Sequence, residues 1–352
     1  MNSIPFESLF FLHFGFFPKN TSPIPEAPVF PFSDQNIKPL EVLAQSVREG
    51  LGQHTEVALL LSGGLDSRIL LVELLKHLPP TSIHTITYGS PGTWDYDIGN
   101  LIARKAGTQH LAIDLSIAPS VEQIQLRHRL GNSSMHPLFS IPWEQLKNIP
   151  QPIFTGFLGD WLTELPAEET QPHPNQMWMK SQGIRSWDLP HISLEGDPVS
   201  FRKFEWEWYY RKGLSHAFHP KEMTTVHPFL NEAVIQAFLS VPSSQQWEQK
   251  GYQAALLSWS PEWFKLPVKR TYGLGLHRKP WQEWWVKTSG PILRKWGIRT
   301  INRSINTAQY HDLLEQSDWR NVEEIALKKL SEWEIEAPKT FEQRLRILPL
   351  AW

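Results

Sequence analysis

The chain has 352 residues, with 34 lysines and arginines against 36 aspartates and glutamates, and a net charge of −2 with histidine neutral. That length suits one large domain or two, and the near balance of charge gives no electrostatic footprint for a nucleic-acid partner. Cysteine is absent, which excludes disulfides, thiolate metal sites and cysteine nucleophiles.

The first 37 residues are rich in phenylalanine and proline. Pro23-Ile24-Pro25-Glu26-Ala27-Pro28 is unable to form helix and suits an extended arm. The apolar run from Leu9 to Phe17 is too short to span a membrane, and neither a basic segment nor a small-residue cleavage site frames it as a signal peptide. No membrane partner and a cytoplasmic location are therefore expected.

A helix is predicted from about Lys38 to Gly50, followed by a strand over 57–61 and a second helix to about His77. A second strand is predicted over Ile83 to Tyr88, closing on Gly89, and a helix from Asp97 to Gly107 ended by that glycine. Gln109 to Leu115 reads as a third strand, Ser120 to Leu130 as helix, and Pro152 to Thr155 as a further buried strand. Strand and helix alternate, so the expected fold class is α/β, a doubly wound parallel sheet whose ligands sit at the carboxyl ends of its strands. From about Ser200 the chain reads as an α-rich layer, with Trp206, Trp208, Tyr209, Phe238, Trp259 and Trp263 as core or interface aromatics. Residues 291–352 read as a helical extension of amphipathic segments such as Asn321 to Leu330.

Between the first strand and the second helix lies Ser62-Gly63-Gly64-Leu65-Asp66-Ser67. Two glycines let backbone approach an anion closely, and the following helix start offers unpaired N–H groups and a positive dipole end. Ser62 and Ser67 add hydroxyl donors. Asp66 would repel a phosphate unless a cation lay between them, so its presence implies Mg²⁺ and the turn points to a nucleotide pyrophosphate. The plainer alternative is an ordinary strand-to-helix turn. Neither a Walker loop nor the three-glycine dinucleotide fingerprint is present. Arg68 is positioned either to reach a phosphate or to face solvent in the first turn of its helix. Asp95 and Asp97 suit either a ribose or substrate amine, or simple helix capping. His216, His219 and His227 lack a carboxylate partner at metal-ligand spacing and read as structural, and His110 as a core histidine on its strand.

The turn resembles the PP-loop of the ATP pyrophosphatases, which cleave ATP between its α and β phosphates. Over roughly residues 1 to 290 the order of motifs resembles the synthetase domain of the asparagine synthetase family. Ser62 to Ser67 is similar to that family's Ser-Gly-Gly-x-Asp-Ser, Thr87-Tyr88-Gly89 to the strand end that holds adenine, and Thr155-Gly156-Phe157-Leu158-Gly159-Asp160 to its second glycine-acidic loop. Pro228-Phe229-Leu230-Asn231 resembles its Pro-Phe-Leu-Asp, and Leu266 to Gly275 its late lysine-glycine loop. The arm Phe10 to Pro18 resembles the connector from the family's glutaminase domain, which gives an expected organisation of arm (1–37), PP-loop domain (38–290) and extension (291–352).

The resemblance implies an adenine nucleotide alpha hydrolase-like fold and an ATP-dependent amide-forming ligase that adenylates a carboxylate. It implies Asp66 and Asp160 as Mg²⁺ carboxylates, and Ser62, Gly63, Gly64 and Ser67 with Gly156 and Gly159 around the pyrophosphate. Leu61, Tyr88 and Gly89 fall to the adenine rim, with Arg68 a further candidate for the nucleotide. Lys269, or its neighbour Arg270, falls to the stabilisation of transition-state charge, a role worth about 10²–10³ in rate per donor. No cysteine is present to release ammonia from glutamine, so nitrogen is expected from free ammonia, a separate glutaminase or an amine on the substrate. Phe157 and Trp161 stand where the family places glutamates, and Asn231 where it places an aspartate near the acceptor. The acceptor is thus an unidentified small-molecule or peptide carboxylate. A ring-closing relative, similar to β-lactam synthetases and lasso-peptide cyclases, and a non-catalytic nucleotide- or partner-binding homologue remain as alternatives.

Overall fold

The computed structural model describes residues 38–117, 119–130, 141–163, 205–241, 249–295, 313–339, 344–345 and 347–352, with a few positions near the amino terminus. Helix α1 (Pro39–Leu51) leads into strand β1 (Val57–Leu60) and helix α2 (Asp66–Leu74). Strand β2 (Ile83–Gly89), helix α3 (Trp94–Ala106), strand β3 (Gln109–Asp114) and helix α4 (Val121–Leu130) follow. Strand β4 (Ile153–Phe154), helix α5 (Gly159–Thr163), the π-helical segment Glu205–Leu214, helix α6 (Ser215–Phe218) and strand β5 (Thr225–Val226) come next. The last described helices are α7 (Glu232–Leu239), α8 (Lys250–Trp259), α9 (Pro261–Phe264), α10 (Pro280–Lys295) and α11 (Ser317–Glu332).

The five strands form one parallel sheet in the order β3-β2-β1-β4-β5, with Val57 opposite Ile83 and Ala58 opposite Ile153. Every residue of β1 is buried, and its side chains alternate between two cores. Val57, Leu59 and Leu61 pack with Leu43 and Val47 of α1, Ile69 of α2 and Ile102 of α3. Ala58 and Leu60 pack on the other face with Ile86, Ile124, Trp143 and, from α11, Trp319. The carboxyl-terminal helix thus closes the second face of the sheet, and the α/β doubly wound architecture is the one the alternating pattern predicts. Phe11 and Leu12 pack against Ala326 and Leu330 of α11; most of the arm over 1–37, and the side chains of Trp208 and Tyr209, lie outside the described residues.

Helix α3 starts three residues before the predicted Asp97, because the Asp97 N–H already donates to Thr93 O at 2.9 Å. It ends as predicted at Gly107, whose φ of 71° is the left-handed conformation that glycine adopts without strain. Chain crossings run from β1 through β2 to β3 on one side, and then jump to β4 on the other side of β1. The carboxyl end of β1 is therefore the point where the winding reverses, the usual place for a ligand in this architecture.

Candidate active site

A cavity of about 380 Å³ opens at that point, lined along its polar side by Ser62, Gly64, Asp66, Ser67, Asp95, Asp160 and Lys269. The turn after β1 is held by its own hydroxyls. The Ser62 N–H donates to Ser67 Oγ at 3.1 Å and the Gly64 N–H to Ser62 Oγ at 3.2 Å. Gly63 is obligatory for packing, since a Cβ there would lie 2.5 Å from the Trp94 carbonyl oxygen.

Asp66 opens α2 and Asp160 stands in the first turn of α5. Burial, and then the charge of Asp160, push the Asp66 carboxyl up to about 7. The phenol of Tyr252, from α8, donates to Asp66 Oδ1 at 3.0 Å and works against that rise. Burial, and then the charge of Asp66 and this pairing, drive the Tyr252 hydroxyl upward, so this phenol stays protonated. Tyr252 had no signal in the sequence: it stands 186 residues from its partner, on an ordinary helix.

The second glycine loop brings Gly156 and Gly159 close under Asp66. A Cβ on Gly156 would lie 3.0 Å from the Ser67 nitrogen, and one on Gly159 only 2.6 Å from Asp66 Cβ. Between them, Leu158 holds a φ of 70°, a strained conformation for a branched side chain. Gly159→Ala is expected to push the Asp66 carboxylate out of the cavity, removing most nucleotide affinity with a smaller loss of stability. Calorimetric titration with Mg²⁺-ATP beside a thermal melt checks it; unchanged affinity would show that the close approach has no functional role.

Lys269 projects from the turn after α9. Its N–H donates to Gly63 O at 2.9 Å, tying the basic loop to the nest, and its Nζ pairs with Asp95 Oδ2 at 2.5 Å. Asp97 instead accepts the Gly92 N–H at 3.0 Å and organises the loop before α3. Leu61 and Tyr88 line the cavity on the β1–β2 side, whereas Gly89 does not line it; a φ of 143° lets that glycine end the strand. Arg270 is exposed, outside the cavity wall, although its charge is felt at Asp66.

Three sequence-based expectations are corrected. Arg68 reaches neither phosphate nor solvent: it is fully buried and donates to the carbonyls of Trp263, Leu266 and Pro267 at 3.1, 3.4 and 2.5 Å. Asn231 does not line the cavity. It caps α7 through the Ala233 N–H at 3.0 Å and lies 3.3 Å from Glu49. His110 is half-buried and bonded to Thr85 and Asn100 rather than enclosed in the core. Of the three histidines weighed as a metal site, His216 is buried. His227 is bonded to Thr155 and Thr225, its ring 4.4 Å from that of His219, and burial lowers it to about 3. Among the described residues no cluster of three or more metal-ligating side chains forms, and no helix is long and apolar enough to cross a membrane.

The five-stranded parallel sheet with helices on both faces and the glycine turn at its winding reversal are consistent with the PP-loop, adenine nucleotide alpha hydrolase-like fold. Residues 39–128 match the model of the family described as asparagine synthase, a match that supports an ATP-dependent amide-forming ligase family in general. The matched stretch runs from α1 through α4 and carries the nest, Tyr88 and Asp95; the second glycine loop and Lys269 lie beyond it. No curated protein matches the chain.

Proposed function

We propose that the protein is an ATP-dependent ligase that adenylates a carboxylate and then transfers the acyl group to nitrogen. The observation that carries this reading is the convergence, in one cavity, of Ser62, Gly64 and Ser67 of the nest, the carboxylates of Asp66 and Asp160, and Lys269. Asp66 and Asp160 fit a divalent cation: burial, and then the charge of Asp160, hold the Asp66 carboxyl at about 7, and a cation would relieve both. Mg²⁺ held by these two carboxylates would supply neutralisation of the polyphosphate charge; the remaining work belongs to the protein's own groups.

Ser62, Gly63, Gly64 and Ser67 bind and orient the pyrophosphate, and Leu61 and Tyr88 flank the adenine. Lys269 offers an ammonium to the charge that builds at the α phosphate. Such chemistry needs positioning and charge stabilisation and no covalent nucleophile. A carboxylate oxygen bonds to the α phosphorus as its bond to the bridging oxygen breaks, and pyrophosphate leaves with that electron pair. An amine then attacks the acyl carbon, AMP departs, and the nitrogen gives up a proton. Free ammonia, a separate glutaminase or an amine of the substrate itself would each serve.

Pyrophosphate release from Mg²⁺-ATP is expected to depend on a carboxylate acceptor, to vanish in Asp66→Asn, and to fall about 10²–10³-fold in Lys269→Met with nucleotide binding retained. A protein that binds no ATP would refute the ligase reading.

A further inference from the structure

The cavity has a second wall of different chemistry, built by Phe157, Leu158, Tyr210, Leu214 and Phe218. Phe157 stacks on Phe218 with ring centroids 4.5 Å apart at 22°, and meets Tyr210 edge-on at 6.2 Å. Trp161 backs the same group, 5.7 Å from Tyr210 and 5.2 Å from Trp206. Behind Phe157 stands His227, at 5.8 Å, whose lowered pKa leaves it uncharged at neutral pH. Phe157 and Trp161 therefore do more than omit two charges. They form an aromatic shelf that buries both side chains and is built of uncharged residues.

Leu61 directly after β1, Tyr88 at the end of β2, and Phe157 and Leu158 in the loop after β4 line the same cavity as the nest. An acceptor on the shelf can therefore present its carboxyl group to the nest. A second carboxylate on that acceptor would have no cation to pair with: the one cation lining the cavity among the described residues, Lys269, is bonded to Asp95. Burying an unpaired charge is far less favourable than burying apolar surface on apolar surface.

We infer that the acceptor is a carboxylate with an uncharged aromatic or branched aliphatic body, seated on the shelf formed by Phe157, Tyr210, Leu214 and Phe218. The inference rests on the adenylation proposed above and names the substrate class of that same site.

The test is carboxylate-dependent ATP–pyrophosphate exchange by the full chain, with phenylacetate and 4-methylpentanoate against L-aspartate and L-glutamate. The expected result is exchange at least about 10²-fold more efficient for the apolar acids. Running phenylacetate beside N-acetyl-Ala-Ala-Phe separates a free acid from a peptide end of the same chemistry, and preference for either supports the inference. In Phe157→Leu, or in Phe218→Leu should the first not fold, the KM for phenylacetate is expected to rise about tenfold or more with the KM for ATP unchanged. A rise in the ATP KM instead would place the nucleotide on the shelf and overturn the assignment. Equal or faster exchange with aspartate overturns it too, while leaving the ligase reading intact. Failure of every acid overturns it as well, and the ligase reading falls with it only if ATP binding is also lost.

Discussion

Asp66→Asn is expected to raise the melting temperature of the ligand-free protein at pH 8 while abolishing pyrophosphate release. The carboxyl of Asp66 lies at about 7 in the folded chain against an ordinary value of 3.8, raised by burial and by Asp160. Below the lower value the group is protonated in both states and contributes nothing to the pH dependence. Between the two, the unfolded chain has released its proton and the folded chain still holds it, so stability falls as pH rises and levels off above about 7. The accumulated loss is up to about 4 kcal/mol. Asparagine removes the titration and keeps an oxygen for the Tyr252 hydroxyl, which approaches Asp66 Oδ1 at 3.0 Å. Melts at pH 5 and pH 8 check this: wild type declines between them and the variant does not. Mg²⁺-ATP reverses the difference, since a cation between the carboxylates favours their charged forms. A wild-type curve flat across that range, matching the variant's, would show that Asp66 carries no such strain.

The parts of this site that the sequence makes legible are those in which a few adjacent residues do the whole job. An all-apolar β1, two glycines and a helix start are contiguous, so the nest, its strand and its place at the carboxyl end of that strand follow from one short segment. The second glycine loop is readable for the same reason. What the sequence hides depends on pairs far apart in the chain: Tyr252 on Asp66, and Lys269 on Asp95 across 174 residues. Asn231 shows a related difficulty. An amide in a family-like motif suggests a changed substrate contact, but in the folded chain the same residue serves as an ordinary cap of α7. The aromatic shelf is intermediate: Phe157 and Trp161 stand out as departures, yet only the packing of Phe218 and Tyr210 against them shows what those departures build.

Arg68 yields the second large expected effect, and it separates two roles that look alike in sequence. Directly after the nest, an arginine reads as a phosphate ligand. In the folded chain its guanidinium instead spans the carbonyls at the end of α9, and lies 6.0 Å from the Phe264 ring, with burial lowering its pKa to about 9. Among the described residues its Nε has no hydrogen-bond partner, so the site already tolerates one unmet donor for the sake of three met acceptors. The segment so gripped leads directly into Lys269. Arg68→Ala strands three carbonyls and opens a cavity, a destabilisation on the order of 3–5 kcal/mol by urea denaturation. Arg68→Met fills much of the space without donors, and is expected to recover the packing part alone and to lower the rate of adenylation by loosening Lys269. A phosphate ligand would behave in the opposite way: Arg68→Met would leave the denaturation midpoint in place and weaken ATP binding, and that result would return Arg68 to the nucleotide site.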